Sequence, residues 1–180
     1  MINPFLTGEK IYLSPLSESD LSDKYIAWLN DVEVCRDNAH ATFPNNETKV
    51  KAYIEEVQKS QQNFVFAIRL KSNDEHVGNV ALQSVNWINK SGELAILIGE
   101  KSAWGKGVGY ECYKLLLEYG FKTLNLNRIF SGQTTRNKAM IKICEKSGMK
   151  REGLLREFLF KNGEYLDLEI YSILKKEYYE

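Results

Sequence analysis

The chain has 180 residues but only three cysteines, two histidines and three prolines, and no excess of charge of either sign. Cys35, Cys112 and Cys144 are odd in number and widely separated, with no C-x-x-C pair. That excludes a disulfide framework and a zinc site. His40 and His76 lie in different segments with no cysteine at ligand spacing, so no metal is expected. The 24 basic and 24 acidic residues cancel. A general binder of nucleic acid or anionic membrane would need a basic excess, although a local basic pocket stays open. No apolar run reaches the ~18–20 residues that span a bilayer. The opening MINPFLTGEK lacks a charged-then-apolar signal pattern, so the expected location is the cytoplasm. The absence of a G-x-S-x-G elbow argues against an α/β-hydrolase.

With hydrophobic residues at 43%, residues 1–180 can form one globular domain. The most informative stretch runs from Glu93 to Phe121. It reads as an apolar strand, a glycine-rich turn and an amphipathic helix beginning at Val108 and Gly109. Val108, Cys112, Leu116 and Tyr119 fall on one helical face. Gly105, Gly107 and Gly109 let the backbone turn sharply and approach an anion. The first N–H groups of the helix have no internal partner, and the helix dipole favours negative charge there. The segment is therefore a candidate phosphate seat. It is not a Walker loop, because Lys106 is followed by Gly107 and position 100 is Glu. It is not the dinucleotide fingerprint either: counted from Gly105 or Gly107, the third glycine falls on Tyr110 or Cys112.

Elsewhere, Ile11–Leu13 reads as a strand broken by Pro15, Asp20 as the cap of a helix to about Leu29, and Asn46 as the cap of a second helix. Phe64–Leu70 and Val77–Ser84 read as a hairpin, and Glu93–Ile98 as a buried strand. A helix from Gly109 to about Leu124 is followed by a strand at Arg128–Gln133. Asn137–Ser147 reads as a helix with Met140, Ile143 and Cys144 inward, ended by Gly148. Asn162-Gly163 joins the last strands, Leu155–Lys161 and Tyr165–Leu174. The order is β-αα-ββ-β-α-β-α-ββ, a mixed α/β fold with a right-handed parallel crossover in its middle.

Four pieces of this chain together resemble the GNAT superfamily of acetyl-CoA-dependent N-acetyltransferases, in the branch of the RimJ- and RimL-type ribosomal-protein alanine acetyltransferases. They are WGKGVG at 104–109, LLLEYGFKTLNLNRI at 115–129, NKAMIKICEKSGMKREGLLRE at 137–157 and NGEYLDLEIYSIL at 162–174. The resemblance runs from about Ile11 to Leu174. It implies a GNAT-like fold with acetyl-CoA as co-substrate. The backbone of Trp104, Gly105, Lys106, Gly107, Val108 and Gly109 would hold the pyrophosphate. Leu94, Ile96, Leu97 and Ile98 would pair with the pantetheine arm, beside strand 128–133, which splays away. Asn137 would touch pantetheine, or simply cap its helix, and Lys138 and Met140 would lie near the adenine.

An alkylammonium has a pKa of about 10.4, so an amine acceptor must lose a proton before it attacks a thioester. Glu93 is the candidate base: it opens the strand that would hold the thioester, fourteen residues before Gly107, as in some GNAT enzymes. A backbone N–H near Leu97 or Ile98 would serve the oxyanion. Many GNAT enzymes protonate the leaving thiolate from a tyrosine at the position held here by Cys144; a thiol could donate, or Cys144 could be core. Ser147, Tyr165 or solvent are the alternatives. The resemblance puts the N-terminal helices and their loop at the acceptor. Trp28, Asp31, Arg36 and Phe43 are the candidate contacts there. The expected partner is a small-molecule amine, such as an amino sugar or amino acid derivative, or else a peptide N-terminus. No nucleic acid, membrane or metal is expected, and the protein would be a monomer or homodimer. A non-catalytic acetyl-CoA-binding module and an unrelated nucleotide-binding protein are the competing classes.

Overall fold

A computed structural model describes residues 3–179. Its elements are β1 (Leu6–Thr7), β2 (Ile11–Pro15), α1 (Asp23–Asn30), α2 (Glu47–Lys59), β3 (Phe64–Leu70), β4 (His76–Asn86), β5 (Ser91–Ile98), α3 (Val108–Glu118), β6 (Arg128–Thr134), α4 (Lys138–Lys146), β7 (Lys150–Lys161), β8 (Glu164–Leu174) and a final turn α5 (Lys175–Tyr178). One sheet holds all eight strands in the order β1-β2-β3-β4-β5-β6-β8-β7. Every neighbouring pair is antiparallel except β5 and β6, the two ends of the α3 crossover. This is the mixed α/β order expected from the sequence, with β1 added at one edge.

The sheet has a core on each face. Leu13, Ile68, Leu82, Leu94, Tyr113, Leu116, Phe121 and Cys144 belong to the one under α3 and α4. Tyr25, Trp28, Val50, Ile54, Ala67 and Leu97 belong to the one under α1 and α2. The stripe Val108, Cys112, Leu116 and Tyr119 is buried throughout, so the i, i+4 periodicity of α3 specifies its packed face. Asn162 and Gly163 both have positive φ (52° and 86°), as a two-residue hairpin turn requires.

Four local expectations are corrected or extended. First, α1 is capped by Ser22, whose Oγ accepts from the Tyr25 N–H, because Asp20 is committed elsewhere. Second, α3 loosens after Glu118 into a wider turn, Tyr119–Thr123, closed by the Leu124 N–H on the Tyr119 carbonyl. Residues two apart diverge on an α-helix, and the wider turn lets both Tyr119 and Phe121 be buried. Third, Ile141 joins Cys144 as a buried residue of α4, while Met140 and Ile143 pack half-buried against the same core. Fourth, β7 begins at Lys150 rather than Leu155. Its register on β8 slips between Leu155 and Leu159, so Arg156, Glu157 and Phe158 bulge out opposite Asp167.

Asp20 instead ties the start of α1 to the sheet. Its carboxylate accepts from the Ser17 N–H at 2.8 Å and pairs with the Arg69 guanidinium on β3. Both side chains are buried. Removing one partner of a buried pair leaves an uncompensated charge, which costs about 3–5 kcal/mol. Asp20→Ala should therefore lose about that much stability by urea denaturation, with Asp20→Asn milder; a loss below about 1 kcal/mol for Asp20→Ala contradicts this role.

Candidate active site

The parallel ladder between β5 and β6 covers three pairs, ending at Glu93 and Phe130. Beyond that the strands part, and side chains occupy the wedge. Ser131 Oγ donates to the Leu94 carbonyl at 2.7 Å, and its other bonds run to Tyr113 Oη (2.9 Å) and Gln133 Nε2 (2.8 Å). At the open end, Trp104 Nε1 donates to the Ile98 carbonyl at 2.8 Å. Leu94 and Ile98 thus turn their backbone groups toward β6. Strand alternation turns Ile96 the same way, leaving its N–H and C=O facing the gap. Leu97 faces the other side, opposite Asn79 in the β4 ladder. Of the two oxyanion donors expected from the sequence, the Ile98 N–H is the one aimed into the cleft.

Gly105 and Gly107 have φ of +73° and +86°, so the loop conformation calls for glycine at both. Gly107 is the N-cap of α3. The first helical bond is Glu111 N–H to the Gly107 carbonyl, which leaves the N–H groups of Val108, Gly109 and Tyr110 without helical partners. The Glu111 side chain is turned away and accepts from the Lys10 N–H at 3.0 Å. This docks the β1–β2 hairpin on α3 and brings Lys10 Nζ to the Lys106 carbonyl at 3.3 Å. Lys10 is thus a cation at the glycine loop that sequence spacing could not reveal. Lys142 and Lys146 of α4 line the same cleft, and Lys146 Nζ stands 4.2 Å from the Tyr110 ring centroid.

The cleft has a volume of about 840 Å³. Of the expected coenzyme residues, Leu94, Ile96, Leu97, Ile98, Trp104, Gly105, Gly107, Val108, Gly109, Asn137 and Met140 line it; Lys106 and Lys138 do not. Asn137 also caps α4, accepting from the Met140 N–H at 3.2 Å. Glu93 lines the cleft and accepts from Gln83 Nε2 at 3.2 Å. The bulge in β7 brings Phe158 and Leu159 to the cleft wall. Cys144 is fully buried and outside the lining, and burial pushes its thiol up to about 12.

A second cavity of about 350 Å³ opens on the other face of β5, walled by α1, α2 and the loop between them. Both cavities are lined by Asn38, His40, Ala95, Ile96 and Leu97, so they adjoin at the middle of β5. The loop is pinned from several sides: Asp37 accepts from Thr134 Oγ1 (2.8 Å) and Arg136 Nε (3.2 Å), and Lys161 Nζ donates to the His40 carbonyl. Desolvation, and then the Lys161 ammonium, lowers the His40 pKa, so its ring is neutral at neutral pH.

Of the residues expected at the acceptor, only Arg36 lines a cavity. Trp28 is core, 5.1 Å from the His76 ring and packed where Gly99 has no side chain. Asp31 pairs with Lys101 and accepts from the Val34 N–H. Phe43 is 75% exposed and lines neither cavity.

A mixed sheet opened at its one parallel pair, with a glycine loop and helix N-terminus at the opening, defines an acyl-CoA-dependent N-acyltransferase architecture. The family model for the acetyltransferase (GNAT) domain matches residues 10–150, and the chain belongs to that family. It is an acetyl-CoA-dependent N-acetyltransferase. An uncharacterized N-acetyltransferase p20 from Bacillus licheniformis is 34% identical over 113 residues, 63% of each chain. A spermidine N(1)-acetyltransferase from Escherichia coli K12 is 27% identical over 176 residues, covering 96% of this chain and 90% of the relative. The crystal structure of spermidine N-acetyltransferase from Vibrio cholerae in complex with CoA and spermine superposes with a TM-score of 0.87 at 23% identity, covering 96% of this chain and all of that one. No group of His, Cys, Asp and Glu that could hold a metal occurs among the described residues.

Gly107→Glu should weaken CoA binding in calorimetry by at least about 100-fold, through negative charge and bulk at the helix N-terminus. Gly107→Ala carries the backbone strain alone and should lose far less. Equal losses in the two variants would mean that the anion sits elsewhere.

Proposed function

We propose that this enzyme transfers the acetyl group of acetyl-CoA to the primary amine of a small molecule, by direct attack on the thioester. The observation that carries this reading is the meeting of two cavities at one stretch of β5. Coenzyme would occupy the larger and acceptor the smaller, with the carbonyl carbon beside Ile96 and Leu97. The relatives named for spermidine acetylation also support a small amine.

The α3 N-terminus, Lys10, Lys142 and Lys146 would bind the coenzyme phosphates. The inward N–H and C=O of Ile96 would pair with the pantetheine amides as an added strand does. The Ile98 N–H would stabilise charge developing on the carbonyl oxygen. Glu93 would take the amine proton, directly or through a water, held by Gln83 in a cleft that adjoins the acceptor cavity. The leaving thiolate would draw its proton from solvent, since the Cys144 thiol is enclosed in the core. Positioning two substrates across one strand supplies much of the rate by itself.

Glu93→Gln should lower kcat by about 10²–10³-fold while leaving CoA affinity within about twofold. A turnover equal to wild type across about pH 6–9 would make Glu93 structural. Cys144→Ala should retain kcat within about fivefold, since an inaccessible thiol donates no proton to the reaction. A loss of several hundredfold at unchanged melting temperature would instead make Cys144 the acid.

A further inference from the structure

We propose that the acceptor carries an anionic group, a carboxylate or phosphate, at the end remote from its amine, and that Lys49 selects for it over polyamines. The inference rests on the small-molecule reading above and adds a charge requirement to it. The smaller cavity is lined by aromatic, amide and aliphatic groups, and no Asp or Glu is among its lining residues. The one lining side chain that is cationic at neutral pH is Lys49, in the first turn of α2. It is exposed, and it has no carboxylate partner among the described residues. Its ammonium donates to the Pro44 carbonyl at 2.9 Å, which leaves further N–H donors free.

The neighbouring acids do not supply the missing charge. Asp37, Glu33 and Glu93 line the coenzyme cleft instead. Of these, Asp37 is paired with Arg36 and Arg136, and Glu33 with Lys101. Asp20, which acts on Tyr25, is paired with Arg69. Glu56 acts on Tyr53 but does not line the cavity. An acceptor with a second ammonium would bring that charge toward Lys49 with no carboxylate in the wall to receive it. An acceptor ending in an oxyanion meets a charge-assisted donor there. Tyr25, Tyr53, Asn38 and the neutral His40 ring then flank an uncharged middle.

The test uses the full chain with acetyl-CoA and four matched acceptors. Each is a four-carbon primary amine, ending in ammonium (putrescine), hydroxyl, carboxylate or phosphate, and spermidine is run beside them. The carboxylate or phosphate acceptor should exceed putrescine and spermidine in kcat/KM by about tenfold or more, and the margin should shrink with added salt. Lys49→Glu, at an exposed position, should reverse the order without changing CoA affinity. Putrescine or spermidine matching the anionic acceptors in the wild-type enzyme overturns the proposal, as does an unchanged order in Lys49→Glu. Turnover of a peptide N-terminus with none of the small amines overturns the small-molecule reading itself, and this inference with it.

Discussion

The parting of β5 from β6 after three paired residues is the constraint on which the site depends. A continued ladder would consume the backbone groups of Ile96 and Ile98 and close the cleft. The buried cluster of Tyr113, Ser131 and Gln133 stands in for the missing ladder: Ser131 satisfies the Leu94 carbonyl that β6 no longer reaches. Unpaired buried backbone groups are costly, and the Leu94 and Ile98 carbonyls both take side-chain donors here. Trp104 closes the far end of the gap by the same logic and fixes the glycine loop to the strand that it serves.

The charge distribution follows the division made by the sheet. A chain of zero net charge places Lys142 and Lys146 in the wall of the larger cleft and Lys10 at its glycine loop. Its acids in the loop between α1 and α2 are largely spent on holding that loop. Asp37 binds Thr134 and Arg136, while Asp31 and Glu33 share Lys101. A polar loop rich in carboxylates therefore acts here as a strap, a role that its composition alone does not reveal.

The local signals were legible wherever one short stretch determines the geometry. The glycine loop, the capping asparagines of α2 and α4, the Asn162-Gly163 turn and the limits of β3 all follow from a few adjacent residues. The illegible parts are those made by distant segments. Lys10 reaches the glycine loop only because Glu111 captures the β1–β2 hairpin. Asn38 and His40 become cavity wall only because Lys161 and Arg136, from the far end of the chain, hold their loop against the sheet. Trp28, a large aromatic beside a polar loop, fits either a recognition role or a core role on sequence alone. Its actual neighbours, His76 and Gly99, are remote in sequence. The β7 bulge is set by register against β8, and alternation within β7 alone does not show it.

The same geometry bears on how acetyl passes to the acceptor. A route through an acyl-enzyme needs a nucleophile open to the cleft. All three cysteines are buried. Desolvation raises the Cys35 thiol to about 11 and Cys144 to about 12, and holds Cys112 well above its ordinary value. A thiol kept protonated and enclosed is a poor nucleophile. Two adjoining cavities, by contrast, would let an amine meet a thioester directly, as proposed above, without any side chain carrying the group. On the reading proposed above, the fold would need only to keep the gap in the sheet open, with Glu93 removing the proton and the Ile98 N–H meeting the carbonyl oxygen. That division of labour fits a site whose most closely specified parts are backbone: a split strand pair, a glycine turn and the first turn of a helix.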